Sequence, residues 1–338
     1  MCTLLRAIRI STRENSHYTR DELKANMTSI NPNVRDVLNR GVLLDKLYRL
    51  KDCPVDLCKE YGKFASRYKS ILNGKWSGGS KLTDAASEEF REILIFLYES
   101  LLKYKTFNNA FFTTSKSLDD FRAMMSLNQV CPYCDITKIN KDIVSVDHLL
   151  PKGSFPVLSI FPDNLIVVCK ACNEVIKGET IYLPIAHPYY EEVSRHFTFV
   201  IKENNNNKFT IEIATNSKNS KLINQKIYNF IKLFKIIDRY EKYMTAELQD
   251  YRTAVRKSAI AELNGVAQFR SITRNDIENC TRKYFQEAIL DNTKLKRAVD
   301  GSKIKNDYIN QIIKENAYQN DIEYIESHFF GFVTSKYE

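Results

Sequence analysis

The chain has 338 residues, 43% hydrophobic and 27% charged, with 50 Lys and Arg against 41 Asp and Glu. Nineteen Tyr and nineteen Phe exclude a disordered chain, and no apolar run approaches the roughly 18 residues of a membrane span. The N-terminal MCTLLRAIRISTRENSHY is too interrupted by Arg for a secretory signal, so the expected location is the cytoplasm, and the net charge of +9 suits a polyanionic partner without naming one.

The N-terminal region reads mainly as helix. Asn31-Pro32 opens an amphipathic run through Leu38, Leu43, Leu44, Leu47 and Leu50. A second run covers about 55–72 and a third about 84–105, separated by the glycine-bearing loop 74–80. Ser117 and Asp120 fit a capping box before a short helix ending near Leu127. Further on, Phe197, Phe199 and Ile201 alternate with polar residues, as do Phe209, Ile211 and Ile213, around a polar Asn-rich turn; this predicts a β-hairpin. From about 218 to 263 apolar residues recur at three and four, which predicts one long helix or two with a hidden break. Helices are expected near 274–290, 302–316 and 319–329. The expected fold class is α+β and mostly helical, with regions 1–127, 128–190 and 191–338.

Residues 128–190 hold the chemistry. Cys131 and Cys134, then Cys169 and Cys172, form two C-x-x-C pairs 34 residues apart. In a reducing compartment such paired knuckles read as a metal site rather than disulfides. Four thiolates close a tetrahedral Zn²⁺ site with no open position, which makes the ion structural. Between the pairs, Val144–His148 reads as a short strand delivering Asp147 and His148. Residues 163–168 read as a second strand with Asn164 at its start, and 172–178 as a short helix closed by Gly178. The order is strand, loop, strand, helix.

The Asp-His pair at 147–148, Asn164, and the C-x-x-C-N at 169–173 resemble the HNH nuclease family, whose core is a ββα-metal fold. The likeness covers about 50 residues, with 16 from His148 to Asn164 and nine more to Asn173. It implies a metal-dependent endonuclease that hydrolyses phosphodiester bonds. His148 would be the general base, Asp147 and Asn173 would hold a Mg²⁺ or Mn²⁺ ion, and Asn164 would brace the loop and orient His148. The family's lysine commonly follows the last motif residue by three; here Lys177 follows Asn173 by four. The resemblance favours DNA over RNA and fits a role in bacterial restriction or anti-phage defence. The chain has no P-loop, so an ATP-driven step would need a partner such as an ATPase.

Lys152, Lys170 and Lys177 are candidate phosphate contacts, or solvated surface lysines. His187 could support the site or pack under the hairpin; His196 and the Cys53/Cys58 pair read as structural. Arg252, Arg256 and Lys257 form either a solvated helix face or a DNA-tracking stripe. Two rival functions stay open: a non-catalytic zinc module that binds nucleic acid or scaffolds a complex, and an RNA-directed nuclease of the same type.

Overall fold

The computed structural model describes residues 19–30, 32, 35–38, 42–50, 57–75, 84–112, 117–126, 129–140, 142–203, 209–289 and 301–330. Among them the protein is mostly helical, with three two-stranded sheets. No described helix is long and apolar enough to cross a membrane. Two compact units emerge: Met1–Tyr133 with Ile139–His187, and Cys134–Lys138 with Pro188–Glu338.

The first unit opens with helices α1 (Arg20–Ile30), α2 (Arg35–Leu38) and α3 (Val42–Arg49). The predicted leucine stripe is its core face: Leu38, Leu43, Leu44, Leu47 and Leu50 are all buried. The run expected over 55–72 divides into α4 (Leu57–Ser66) and α5 (Tyr68–Leu72). The third becomes α6 (Asp84–Phe96), whose continuation Leu97–Leu101 widens into a π-helical turn. After α7 (Lys105–Phe112), Ser117 caps α8 (Leu118–Ser126) in the expected manner. Ser117 N–H donates to Asp120 Oδ2 at 2.7 Å and Asp120 N–H to Ser117 Oγ at 3.2 Å. Residues 76–80 of the glycine loop, Cys53 and Leu127 lie outside the described residues, and Cys58 is only half-buried.

Two short strands, β1 (Gln129–Val130) and β2 (Lys138–Ile139), precede the central pair. Strands β3 (Val144–His148) and β4 (Leu165–Cys169) run antiparallel, with Val146 opposite Val167. All ten residues are buried, which explains an apolar run in β4 where a one-sided strand would alternate. Asn164 is not the first strand residue; it ends a 3₁₀ turn, Pro162–Asn164. The segment after β4 is a π-helical turn, Ala171–Lys177, closed by Gly178 at a φ of 50°. Its widening shows in the bond from Gly178 N–H back five residues to Asn173 O, at 2.8 Å.

The second unit holds the predicted hairpin, β5 (Phe197–Glu203) and β6 (Phe209–Thr215), paired antiparallel with Phe199 opposite Ile213. The stretch expected as one long helix, or two with a hidden break, is three: α9 (Lys221–Leu233), α10 (Ile236–Tyr243) and α11 (Thr245–Ala267). Lys235 takes the left-handed conformation at a φ of 48°, a break that no Gly or Pro announces. Helices α12 (Arg274–Glu287), α13 (Ser302–Glu315) and α14 (Gln319–Phe330) follow as expected. Side chains blunt the hairpin's outer edges. Phe199 N–H donates to Asp307 Oδ2 at 2.8 Å, and Ile201 exchanges two bonds with Gln311. On the other edge Ile211 N–H donates to Glu241 Oε1 at 2.9 Å.

Arg252 and Arg256 form no exposed stripe. The Arg252 guanidinium clasps Asp321 through Nε and Nη2, both at 2.7 Å, and Arg256 Nε reaches the same carboxylate at 2.7 Å. Arg252 Nη1 donates further to Glu203 and to the Tyr308 hydroxyl. Asp321 is fully buried; only Lys257 of the three cations is exposed. Removing the shared carboxylate would strand two guanidiniums. We expect Asp321→Ala to lose about 3–5 kcal/mol in urea unfolding, far more than Lys257→Ala.

Candidate functional site

The four cysteines of the two C-x-x-C pairs come together. Their sulfurs all lie within 4.8 Å of one another, and all four residues are buried. Tetrahedral Zn–S bonds of about 2.3 Å would fit such a group. Cys169 N–H points at Cys131 Sγ at 3.4 Å, an amide donor suited to a thiolate. The cluster can therefore hold a metal ion such as zinc, and four sulfur ligands would leave that ion no open position.

Beside it, within the first unit, β3 lines a cleft of about 350 Å³. Tyr98, Arg122, Asp147, His148, Asn173 and Lys177 are among its walls. Alternation along β3 gives Asp147 and His148 different neighbours. Asp147 is buried with both oxygens engaged: Oδ1 takes the Lys177 ammonium at 3.0 Å and Oδ2 the Tyr133 hydroxyl at 2.7 Å. Burial pushes its carboxyl up, against the downward pull of Lys177 and Tyr133.

His148 packs edge-on against Tyr98, ring centroids 4.3 Å apart. Its Nε2 lies 2.7 Å from Ser159 O. A carbonyl only accepts, so Nε2 carries the proton and Nδ1 keeps the lone pair. Burial drives its pKa down to about 4, and the nearby Lys152 and Lys177 charges act in the same direction. The imidazole is therefore neutral at pH 7. Tyr98 in turn donates to Val146 O at 3.1 Å, and burial raises its hydroxyl to about 12.

Asn164 clamps the loop between the strands. Its Nδ2 donates to Leu150 O and Leu158 O, and its Oδ1 accepts from Leu150 N–H at 2.8 Å. His187 takes the supporting place of its two expected ones. It is fully buried in the first unit, with Nε2 2.7 Å from Asp163 O, and so braces the same loop. His196 is structural as expected, bonded to Asn219. Asn173 Nδ2 donates to Ser145 Oγ at 2.8 Å, which ties the π-helical turn to β3.

Of the three lysines, Lys177 departs from both expectations. Lys177 is 2% exposed and is no surface phosphate contact; it also donates to His148 O at 2.8 Å. Lys152 lines the cleft with its ammonium on Glu99. Lys170 is exposed and lies outside the cleft lining. Sequence reading missed Tyr98, Arg122, Tyr133 and Ser159. Only Tyr133, lying inside the first C-x-x-C, carried a local signal.

No protein-family model matches the chain, and no solved structure does. A stretch of 73 residues is 32% identical to protein ea31 of Escherichia phage lambda, covering 20% of this chain and 24% of that protein. The match thus spans about a quarter of the relative's length.

Purified protein should carry one zinc by elemental analysis. Cys169→Ser should lose it and melt at lower temperature, because the ion's binding energy is folding energy. A second expectation concerns pH. With a His148 pKa of about 4 in the fold and 6.5 unfolded, the unfolded chain binds the extra proton between those values. Stability should therefore rise with pH from 4 to 6.5, by on the order of 3 kcal/mol from this group. His148→Gln should flatten that part of the curve in urea titrations. Thiolate protonation acts in both proteins and drops out of the difference.

Proposed function

We propose that the protein is a metal-dependent endonuclease of the HNH type, acting on phosphodiester bonds in DNA. One observation carries the reading: the His148 ring lines the cleft beside Asp147 and Asn173, neutral, with its tautomer set by Ser159. A neutral imidazole held this way can take the proton of an attacking water at Nδ1. Asn164 keeps the Ser159 loop in place, and would act on the water only through His148. Two π-helical turns flank the cleft, a feature frequent at functional sites.

The donor set suits a hard divalent ion. Asp147, Asn173 and Ser145 offer oxygen only, the ligand class of Mg²⁺ and Mn²⁺. An ionised carboxylate has about four acceptor positions, and Tyr133 and Lys177 take two. Asp147 and Asn173 would hold the ion, which would supply positive charge at the scissile phosphate. The π-helical turn accounts for the lysine spacing. One extra residue per turn lets Lys177, four after Asn173, come round to Asp147 as a residue three along an α-helix would.

A non-catalytic zinc module is the rival, and the burial of Asp147 under Lys177 favours it. An RNA-directed nuclease of the same type is the other. Roles in restriction or phage defence, with an ATPase partner, follow from the resemblance alone.

Plasmid DNA and total RNA are offered together to wild type and His148→Ala, with Mg²⁺, Mn²⁺ or EDTA. Wild type should cut DNA, EDTA should stop it, and His148→Ala should retain zinc and lose at least about 100-fold in rate. Equal nucleic-acid binding with no cutting by either protein would favour the zinc module. Preferential loss of RNA would favour the other rival.

A further inference from the structure

We infer that Arg122, on α8 and outside the motif segment, is the residue that grips the scissile phosphate. The inference deepens the nuclease reading and rests on it. Among the described residues three cationic side chains line the cleft: Arg122, Lys152 and Lys177. Two are committed within the fold. Lys177 is buried against Asp147 and His148 O, and Lys152 is paired with Glu99.

Arg122 differs. Its Nη1 donates to Asp119 Oδ1 at 2.9 Å, which fixes the guanidinium. Its Nε is buried and has no hydrogen-bond partner among the described residues. A buried donor without an acceptor is destabilising and calls for an explanation. With Nη1 held by Asp119, the Nε–Nη2 edge remains. That edge is a planar fork, the geometry that binds two oxygens of a phosphate together. The side chain is about a third exposed, so the fork is partly enclosed and still within reach of a ligand. The charge is also felt at the centre of the site: it lowers the Tyr98 hydroxyl against burial, and Tyr98 is the ring packed on His148. A phosphodiester bound there would lie in the same cleft as the His148 imidazole.

The test separates binding from cutting. In the His148→Ala background, affinity for a fluorescein-labelled DNA duplex is read by anisotropy across a salt series, with and without Arg122→Gln. Cleavage rates are read for the single variants Arg122→Gln and Arg122→Lys, with melting temperature and zinc content as controls. Loss of one bidentate, charge-assisted contact should weaken binding roughly 10- to 100-fold. It should also reduce the slope of log K against log salt by about one. Arg122→Lys keeps the charge and loses the fork, so it should keep the slope and still bind and cut less well. A folded, zinc-bearing Arg122→Gln protein that binds within twofold of its parent at an unchanged slope overturns the inference and leaves the nuclease reading standing. If Arg122→Gln fails to fold, wild-type affinity and cutting by Arg122→Lys overturn it equally. If wild type neither binds nor cuts, the nuclease reading falls and this inference with it.

Discussion

The cleft depends on one buried charge. The Lys177 ammonium, almost wholly removed from water, has Asp147 Oδ1, His148 O and Gly178 O as neighbours. An ion placed there without partners would cost several kcal/mol. The three acceptors make its burial tolerable, and they come from β3 and from the end of the π-helical turn. The strand end and the turn are thus tied by a single side chain. Tyr133 extends the tie. It sits between the two cysteines of the first knuckle and donates to the other oxygen of Asp147. The turn that presents Cys131 and Cys134 therefore also helps to orient the carboxylate in the cleft.

The widened turns follow from the same demand. An α-helical turn after Cys169 would carry Lys177 past Asp147. The inserted residue brings it back, and Gly178 at positive φ ends the turn before the error accumulates. The Leu97–Leu101 turn also contributes to the cleft lining, through Tyr98. There Leu97 and Leu101 stay in the core, while Tyr98 reaches Val146 O and the His148 ring, and Glu99 meets Lys152. Among the described residues, both π-helical turns fall where side chains leave the core stripe and face the cleft.

What the sequence made legible was local. The C-x-x-C spacings, the Ser117–Asp120 cap and the alternation in the hairpin each depend on residues a few positions apart. So does the order strand, loop, strand, helix. The position of the break at Lys235 was not legible, because a lysine at positive φ is held by its surroundings and leaves no glycine as a marker. The Arg252–Asp321 clasp was not legible either, since its partners are 69 residues apart and a helical arginine looks the same whether solvated or buried. In the candidate site, Asp147, His148, Asn164 and Asn173 were legible as a pattern. Tyr98 and Arg122 were not, because they reach the cleft from helices upstream and carry no spacing rule.

The loop from Leu149 to Asp163 shows what the motif alone leaves unstated. Fifteen residues without a long regular element would ordinarily be mobile. Here each stretch is fixed from inside the fold. Asn164 holds Leu150 and Leu158, Ser159 O accepts a hydrogen bond from His148 Nε2–H, and His187 holds Asp163 O. The Tyr68 hydroxyl lies 3.2 Å from both Asp163 O and Asn164 Oδ1, one proton shared between them. The base proposed at His148 would act efficiently only if it need not be reoriented as the reaction begins. The imidazole is oriented by Ser159, Ser159 by a loop, and the loop by an asparagine clamp, a buried histidine and a tyrosine from α5. Asn164 thus acts on His148 at one remove, through the carbonyl that the ring must meet, and its place in the pattern is explained without any contact with substrate.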